Sequence, residues 1–175
     1  MITEDELRKV MPFANKAKIA LFVEPLNAAM VEFDISENGL REAAFVAQLA
    51  HESGGFHYVK EIASGEAYEG RKDLGNTEPG DGVRFKGRGL IQITGRANYE
   101  KCGEALDAPL LEQPQLLEQP ILACRSAAWF WKTHGLNELA DKGDFKLITK
   151  RINGGYNGYA DRVAYYDRAR AALEA

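Results

Sequence analysis

The stretch AHESGGFHYVKE, residues 50–61, carries two glutamates nine positions apart, Glu52 and Glu61, with Gly54-Gly55 between them. On one unbroken helix, nine residues correspond to a rotation of about 900°, which would turn the two carboxylates to opposite faces. A break at the diglycine lets both carboxylates face one cleft, an arrangement suited to general acid and general base chemistry. The same residues also fit a simpler interpretation, in which Glu52 ends a helix, the glycines cap it and Glu61 is a solvated surface charge.

A second group of polar side chains has the chemistry that binds sugar hydroxyls and N-acetyl groups. Its members are Gln92, Thr94, Asn98, Asn153 and Arg162, with the aromatic residues Tyr58, Tyr68, Phe85 and Tyr99 as further candidates. Gln92 and Thr94 are two positions apart, so on an extended strand both side chains would point to the same side. Taken singly, each of these residues also fits an ordinary surface or loop position.

Other catalytic motifs are incomplete in this sequence. A zinc-protease HExxH motif needs a histidine where Gly55 stands, and KGRGLIQ lacks the third glycine of a nucleotide-binding GxGxxG motif. Gly87 and Gly89 indicate instead either a close approach of the backbone to a ligand or plain turn chemistry. No nucleophile elbow is present, and Cys102 and Cys124, which belong to no metal-binding pattern, are interpreted as structural helix residues. We therefore expect neither a metal nor an organic cofactor.

Composition places the chain among globular proteins. With 175 residues, 45% hydrophobic and 27% charged, it predicts a single domain over residues 1–175. No apolar stretch approaches the roughly 20 residues of a membrane span, and no signal peptide is visible. The net charge of −4 gives no general attraction to nucleic acid. The segment 142–175 nevertheless holds seven Lys or Arg against four acids, which suits either an anionic polymer or solvated helix faces.

The elements that must position these residues are predicted to be helices. Thr3 and Glu6 form a capping box for a first helix, and helical spacing continues from Ile19 to Phe33, where Pro25 is expected to kink or divide the segment. GLREAAFVAQLAHE has an apolar stripe made mainly of alanine, which predicts a central, closely packed helix that ends at Glu52.

The middle of the chain differs from the helical parts. Residues 64–89 contain seven glycines and no lasting periodicity, which indicates a functional or disordered loop, and GVRFKG and LIQIT are short enough for a small hairpin. Helices are predicted to resume at Asn98, at Pro120, after the capping residue Asp144 and near Ala160. The predicted fold is therefore mainly α, with a glycine-rich central loop or small hairpin at about 54–95 that forms a cleft.

In this order, the motifs HE-S-GGF, KGRGLIQITGRANYE, SAAWFW and RINGGYNG…R resemble glycoside hydrolase family 19. The resemblance covers about three quarters of the chain, from about residue 40 to the C-terminus, and its most specific part is GRG-x-x-Q-[IL]-[ST]-x-x-x-N-Y. The compact size, the few cysteines and the SAAWFW helix are closer to the bacteriophage endolysin branch than to the plant chitinases. The resemblance implies a lysozyme-like helical domain.

The resemblance also implies roles. Glu52 matches the general acid, Glu61 the general base and Thr94 the residue that holds the attacking water, while substrate-binding positions match Gln92, Asn98, Asn153 and Arg162, to which Tyr68 and Tyr99 are added as aromatic candidates. Two departures bear on these roles. The glutamates of plant members lie further apart in sequence, so Glu66 and Glu69 remain alternatives for the base. Ala97 replaces an aromatic residue, which affects subsite contacts.

The resulting expectation is a peptidoglycan hydrolase of the endolysin type that cleaves the bond between N-acetylmuramic acid and N-acetylglucosamine by a two-carboxylate inverting mechanism. The alternatives are a chitinase, a lytic transglycosylase with a single acid and a non-catalytic glycan-binding module. We expect a monomer that is made in the host cytoplasm, reaches the cell wall through a holin-type pore and binds peptidoglycan glycan strands without stable membrane insertion.

Overall fold

The computed structural model describes residues 1–175, and helices form most of it. The nine α-helices are α1 (Glu4–Val10), α2 (Lys16–Glu32), α3 (Gly39–Glu52), α4 (Asp81–Arg84), α5 (Arg96–Leu106), α6 (Pro120–Thr133), α7 (Leu136–Asp141), α8 (Phe145–Asn153) and α9 (Tyr159–Leu173). The prediction of a mainly α fold is confirmed. None of these helices combines the length and the apolarity that a membrane crossing requires.

Helix α3 is the centre of the domain. All its residues from 42 to 50 are buried, so the helix is surrounded by protein rather than exposed on one face. Its alanines let α9 approach closely, and α3 packs more extensively against α9 than any other two elements pack against each other. Helix α2 packs on α6, and α1 covers α9. The predicted central helix is therefore confirmed, and its last residue is Glu52.

Several predicted helix ends are confirmed by their caps. The Thr3 hydroxyl accepts from Glu6 N while the Glu6 carboxylate accepts from Thr3 N, and Asp144 accepts from Leu147 N at the start of α8. Pro120 occupies the first turn of α6, where the N–H that proline lacks would have no helical partner. Pro25 does not divide its segment, because α2 continues through it.

The loop between α3 and α5 is ordered by short turns and backbone bridges. The prediction of a β-like GVRFKG segment is wrong in its first half, because α4 forms there. The hairpin predicted from GVRFKG and LIQIT does not form as a pair of strands, and the segment is instead pinned by two isolated antiparallel bridges, Lys60 with Arg88 and Arg88 with Ile93. Helix α5 begins at Arg96, two residues before the predicted start.

Candidate active site

Glu52 lies at the end of the most buried helix, where the chain makes a sharp left-handed turn. Gly54, Gly55 and Phe56 all have positive φ, at 58°, 69° and 66°. Ser53 fixes this turn, since its hydroxyl donates to Leu49 O and accepts from Phe56 N. The diglycine therefore ends the helix as predicted and leads the chain away from α3 immediately after the glutamate.

Glu52 is held by a buried arginine of α9. Arg162 is only 1% exposed, and its Nη2 lies 2.6 Å from Glu52 Oε1. The same guanidinium donates to Gln48 Oε1 and to Asn157 O. Because a buried guanidinium is costly unless its donors are satisfied, this arrangement fixes the guanidinium and, through it, the glutamate.

The network continues away from Glu52 into the core. Gln48 lies one turn before Glu52 on α3, and its Nε2 donates to Thr149 Oγ1 of α8 at 2.9 Å. Thr149 in turn donates to Phe145 O. A second contact, between His51 Nδ1 and Asp161 Oδ2 at 2.7 Å, joins the end of α3 to the start of α9. Side chains from three helices therefore determine where the Glu52 carboxylate lies.

Glu61 lies on the segment that pairs with the GRG motif. Gly89 N donates to Val59 O at 2.8 Å and Glu61 N donates to Gly87 O at 2.9 Å, so the two segments run antiparallel. The Glu61 carboxylate accepts two further hydrogen bonds, from Gly87 N at 2.6 Å and from the Tyr68 hydroxyl at 3.0 Å. Burial and, secondarily, this bond to Glu61 raise the pKa of Tyr68. Glu61 is thus not a free surface charge.

Gly87 brings Glu61 together with Gln92 and Thr94. A Cβ atom at Gly87 would stand 2.8 Å from Gln92 Oε1 and 3.3 Å from Thr94 Oγ1, so the absence of a side chain makes room for both polar groups. Gly89 is also closely approached, since a Cβ there would meet Ser126 Oγ at 2.9 Å. Both contacts are with side chains of the protein itself, so the approach of the backbone to a ligand stays a prediction.

The backbone at Gln92 differs from the extended strand expected from the sequence. Its φ is 62°, in the left-handed region that residues other than glycine rarely adopt. The Gln92 amide donates to Gly89 O and Thr94 Oγ1 donates to Gln92 O. A tight turn, rather than strand alternation, brings the two side chains to the same side.

A cavity of about 280 Å³ opens beside this turn and contains three of the predicted site residues. They are Gln92, Thr94 and Asn98, and Asn98 is oriented by a bond from its Nδ2 to Thr94 O. Its other lining residues are Leu74, Ile91, Ile93, Trp129, Phe130 and His134. The combination of polar groups with aromatic and aliphatic walls is typical of ligand sites.

Trp129, Phe130 and His134 were not predicted as site residues. Within WFW, only Trp131 is fully buried, and consecutive helix residues cannot all face the same core. Three consecutive aromatic residues on one helix were therefore the sequence signal that some of them face a second surface. His134 stacks on Phe130, with ring centroids 3.8 Å apart, which gives the cavity a continuous aromatic wall.

Tyr99, Arg162 and Asn153, also predicted to bind substrate, lie outside this cavity. Tyr99 is fully buried, its hydroxyl bonds to Lys86 O and Arg88 Nη1, and burial raises its pKa strongly. Tyr99 therefore supports the GRG loop from behind. Arg162 is equally buried and lies beneath Glu52 rather than along an open groove. Asn153 is half-buried at the end of α8, where its Oδ1 accepts from Asn157 N.

The two alternative glutamates have different surroundings. Both carboxylate oxygens of Glu69 are engaged by loop amides, Oε2 by Gly80 N and Oε1 by Gly82 N, each at 2.8 Å, and these bonds lower its pKa. Glu69 thus closes its own loop. Glu66 is exposed in a single helical turn. Of the three acids that follow Glu52, Glu61 alone lies against Gly87 with Gln92 and Thr94.

A larger cavity lies elsewhere. It measures about 390 Å³ and runs along α5, where its charged lining residues are Glu100, Glu104, Asp107 and Glu112. None of the polar residues that surround Gly87 reaches it. Its uniformly acidic rim repels anionic ligands, and it contains no pair of differently held carboxylates. Volume alone therefore does not identify the reaction site here.

Sequence comparisons relate the chain to known glycoside hydrolases. The family model Glyco_hydro_19, described as class I chitinase, matches residues 32–141. A glycosyl hydrolase family 19 domain-containing protein of Haemophilus influenzae is 30% identical over 197 residues, which cover 95% of this chain and 94% of that protein. An endochitinase of Arabidopsis thaliana is 40% identical over 131 residues, 71% of this chain but 44% of that protein. The chain thus spans less than half of this plant relative.

Solved structures show the same fold. Chitinase C from Streptomyces griseus matches with a TM-score of 0.81 and 23% identity, over 99% of this chain and 76% of that one. A bacterial family 19 chitinase matches with a TM-score of 0.82, also at 23% identity, over 98% of this chain and 94% of that one. The lysozyme-like helical architecture expected from the sequence is therefore confirmed.

Proposed function

The chain belongs to glycoside hydrolase family 19, and from that premise we propose that it is a peptidoglycan hydrolase. The bond it cleaves is the one between N-acetylmuramic acid and N-acetylglucosamine, and the products are two shorter glycan strands. The observation that carries this proposal is the grouping around Gly87, where the Glu61 carboxylate, Gln92 and Thr94 meet. Two carboxylates held in unlike surroundings are what an acid and a base require.

In the proposed reaction Glu52 is the general acid. Its Oε1 is occupied by Arg162, so the proton to be donated resides on Oε2. As the glycosidic C–O bond breaks, that proton passes to the leaving oxygen and Glu52 becomes a carboxylate. Its position at the end of a buried helix keeps the donor aligned while the substrate changes shape.

Glu61 is the proposed general base. It removes a proton from a water molecule that attacks the anomeric carbon from the face opposite the leaving group, so the configuration inverts. The Thr94 hydroxyl and the Gln92 side-chain oxygen lie beside the same glycine as the Glu61 carboxylate and are the groups that orient this water. The mechanism requires about 6.5–9.5 Å between the two carboxyl groups, enough for the sugar and the water.

The comparison with the bacterial relative supports a compact hydrolase of this family and names no substrate. That relative matches over nearly the whole of both chains, whereas the plant endochitinases are much longer than the region they share with this protein. A chitinase acting on N-acetylglucosamine polymers is the second candidate, favoured by the activity for which those plant relatives and the structural neighbours are named. Both candidates share the two-carboxylate chemistry.

Mass spectrometry of products from purified peptidoglycan separates the candidates. Hydrolysis adds one water across the cleaved bond, so the expected products end in an ordinary reducing N-acetylmuramic acid. Products ending in anhydromuramic acid would identify a lytic transglycosylase, and products ending in reducing N-acetylglucosamine would identify a different bond. Turnover of chitin oligomers without any clearing of outer-membrane-permeabilised cells would favour the chitinase and contradict our proposal. Binding to both polymers without cleavage would identify a glycan-binding module.

A further inference from the structure

Two lysines of α8, Lys146 and Lys150, lie on one helical face with Asn153, and a third, Lys142, lies shortly before the helix. Lys146, Lys150 and Asn153 follow i, i+4, i+7 spacing, which places them in one row along the helix, whereas Gly143, with a φ of 71°, separates Lys142 from α8. The three lysines are exposed. On the opposite face of the same helix, Phe145, Ile148 and Thr149 are buried, so this orientation of α8 is fixed by packing.

The lysines are not neutralised by nearby acids. None of the three forms an ion pair, and the neighbouring carboxylates are engaged elsewhere, with Asp141 paired to Arg41 and Asp144 bonded to Leu147 N. The protein as a whole has a net charge of −4. A row of unpaired cations in an acidic protein is therefore a local feature rather than a consequence of general composition.

The row ends at Asn153, which a chain of hydrogen bonds connects to the proposed catalytic acid. Asn153 Oδ1 accepts from Asn157 N, and Asn157 O accepts from Arg162 Nε, whose guanidinium also holds Glu52. In the first turn of α8, Lys146 Nζ lies 5.4 Å from the ring centroid of Tyr156. Tyr156 is 45% exposed, so this contact restrains the ammonium group without burying it.

We propose that Lys142, Lys146 and Lys150, together with Tyr156, form an anionic subsite that binds the carboxylates of the peptidoglycan strand next to the cleavage site. This inference rests on the proposed function and extends it to substrate recognition. The carboxylates available are those of the stem peptide, which is joined to the lactyl group of muramic acid by an amide bond, and the lactyl carboxylate itself wherever that peptide has been removed. Chitin carries neither, so the subsite distinguishes the two polymers, with the tyrosine ring as an apolar platform for the attached group.

Binding to insoluble polymers tests this subsite without requiring catalysis. The protein carries Glu52→Gln to prevent turnover, and its co-sedimentation is measured with intact peptidoglycan, with glycan strands stripped of stem peptides by an amidase, and with chitin. The test variant adds Lys142→Gln, Lys146→Gln and Lys150→Gln. The matched control instead adds Lys9→Gln, Lys16→Gln and Lys101→Gln, which removes the same charge from other exposed positions.

The expected result is a Kd for intact peptidoglycan that is about tenfold weaker in the test variant, since exposed charge pairs contribute modestly one by one. Raised salt should weaken binding of the parent protein and reduce this difference. Chitin binding should be the same in all variants. A loss on intact peptidoglycan alone assigns the contact to carboxylates of the stem peptide, and a loss on both intact peptidoglycan and stripped strands shows that the lactyl carboxylate freed by the amidase is bound as well.

Other outcomes overturn the inference. They are unchanged peptidoglycan binding in the test variant, an equal loss on chitin, or an equal loss in the control variant. These outcomes differ from a failure of the proposed function, which would appear as peptidoglycan that the unmodified protein does not cleave, whatever the binding constants of the lysine variants.

Discussion

Glu52 and Glu61 are held in different ways. In the region of Glu52, side chains from α3, α8 and α9 form a buried polar network around Arg162. In the region of Glu61, backbone groups of the GRG segment provide most of the contacts, and a single side chain, Tyr68, completes them. The first region therefore depends on tertiary packing of helices, whereas the second depends on the local conformation of one loop.

This difference suits the two proposed roles. A proton donor must keep its alignment with the leaving oxygen, and a helix end fixed from three sides keeps it best. A base that activates water needs neighbouring groups to hold that water, and a glycine with no side chain leaves space for them. Substitutions in the two regions should therefore affect stability and activity in different proportions.

The largest effect on activity is expected for Glu52→Gln. Replacing one acid or base group typically lowers the rate by about 10²–10⁴-fold, and the amide still accepts a hydrogen bond from Arg162, so the protein should remain folded. Hydrolysis of purified peptidoglycan and thermal denaturation measure the two effects. Glu66→Gln is the matched control because Glu66 is an exposed acid of the neighbouring loop. A fully active Glu52→Gln variant would contradict the assignment of Glu52 as the general acid.

The largest effect on stability is expected for Arg162→Met. The substitution would leave the buried Gln48 and the partly exposed Glu52 without their donor, and each buried polar group left unpaired typically costs about 1–3 kcal/mol. Chemical denaturation measures this free energy of unfolding. Arg71→Met is the control, since the pair between Arg71 and Asp73 is exposed and local. Equal unfolding midpoints for both variants would contradict the role assigned to the buried network.

In contrast to Arg162→Met, Gly87→Ala should reduce activity with little loss of stability. The new methyl group would stand 2.8 Å from Gln92 Oε1, so the side chains beside Glu61 must move. Small displacements of groups that position the reacting atoms lower rates by roughly 10–10²-fold. Gly155→Ala serves as control, because a Cβ there meets only Asn153 Oδ1, at 3.7 Å. Full activity of Gly87→Ala would show that the grouping around Gly87 does not matter for catalysis.

Titration of Tyr68 tests the contact that completes the region of Glu61. Burial and, secondarily, the bond to Glu61 raise the pKa of the tyrosine. Since the negative carboxylate disfavours a phenolate next to it, Glu61→Gln should lower this pKa toward its usual value. Ultraviolet titration, with Tyr68→Phe subtracted in each background, isolates the residue. An unchanged titration of Tyr68 would mean that the two side chains are not in contact in solution.

The smallest effect is expected outside both regions, at the surface pair of Asp141 and Arg41. Arg41 and, next, Asn38 lower the pKa of Asp141 from 3.8 to about 2. A lowered folded-state pKa gives stability that is present above about pH 4 and is lost as the pH falls toward 2. Because Asp141 is partly exposed, Asp141→Asn should cost only about 0.5 kcal/mol at pH 7 and nothing near pH 2.

Thermal denaturation at the two pH values measures this difference, and hydrolysis at neutral pH should be unaffected. A loss of activity in Asp141→Asn comparable to that of Gly87→Ala would contradict the conclusion that the pair of Asp141 and Arg41 takes no part in the regions around Glu52 and Glu61. A stability difference that persists at pH 2 would contradict the assigned pKa.

The sequence by itself determined the features that depend on local conformation. The capping box at Thr3, the end of α3 at Glu52 and the break of the helix at the diglycine all follow from residue types within a few positions of each other. The specific spacing of the GRG motif also predicted Gln92, Thr94 and Asn98, which share one cavity. Local backbone preferences decide these features, so a short window of sequence contains them.

Only the tertiary structure decided which distant groups meet. Arg162 contacts Glu52 from 110 positions away because α9 packs on α3, and the sequence alone placed this arginine along the sugar groove instead. Tyr99 proved to be a buried support for the GRG loop, and Trp129 and Phe130 proved to be cavity walls. Helical periodicity gives the face on which a residue lies, but the identity of the element that covers that face depends on how all the helices pack.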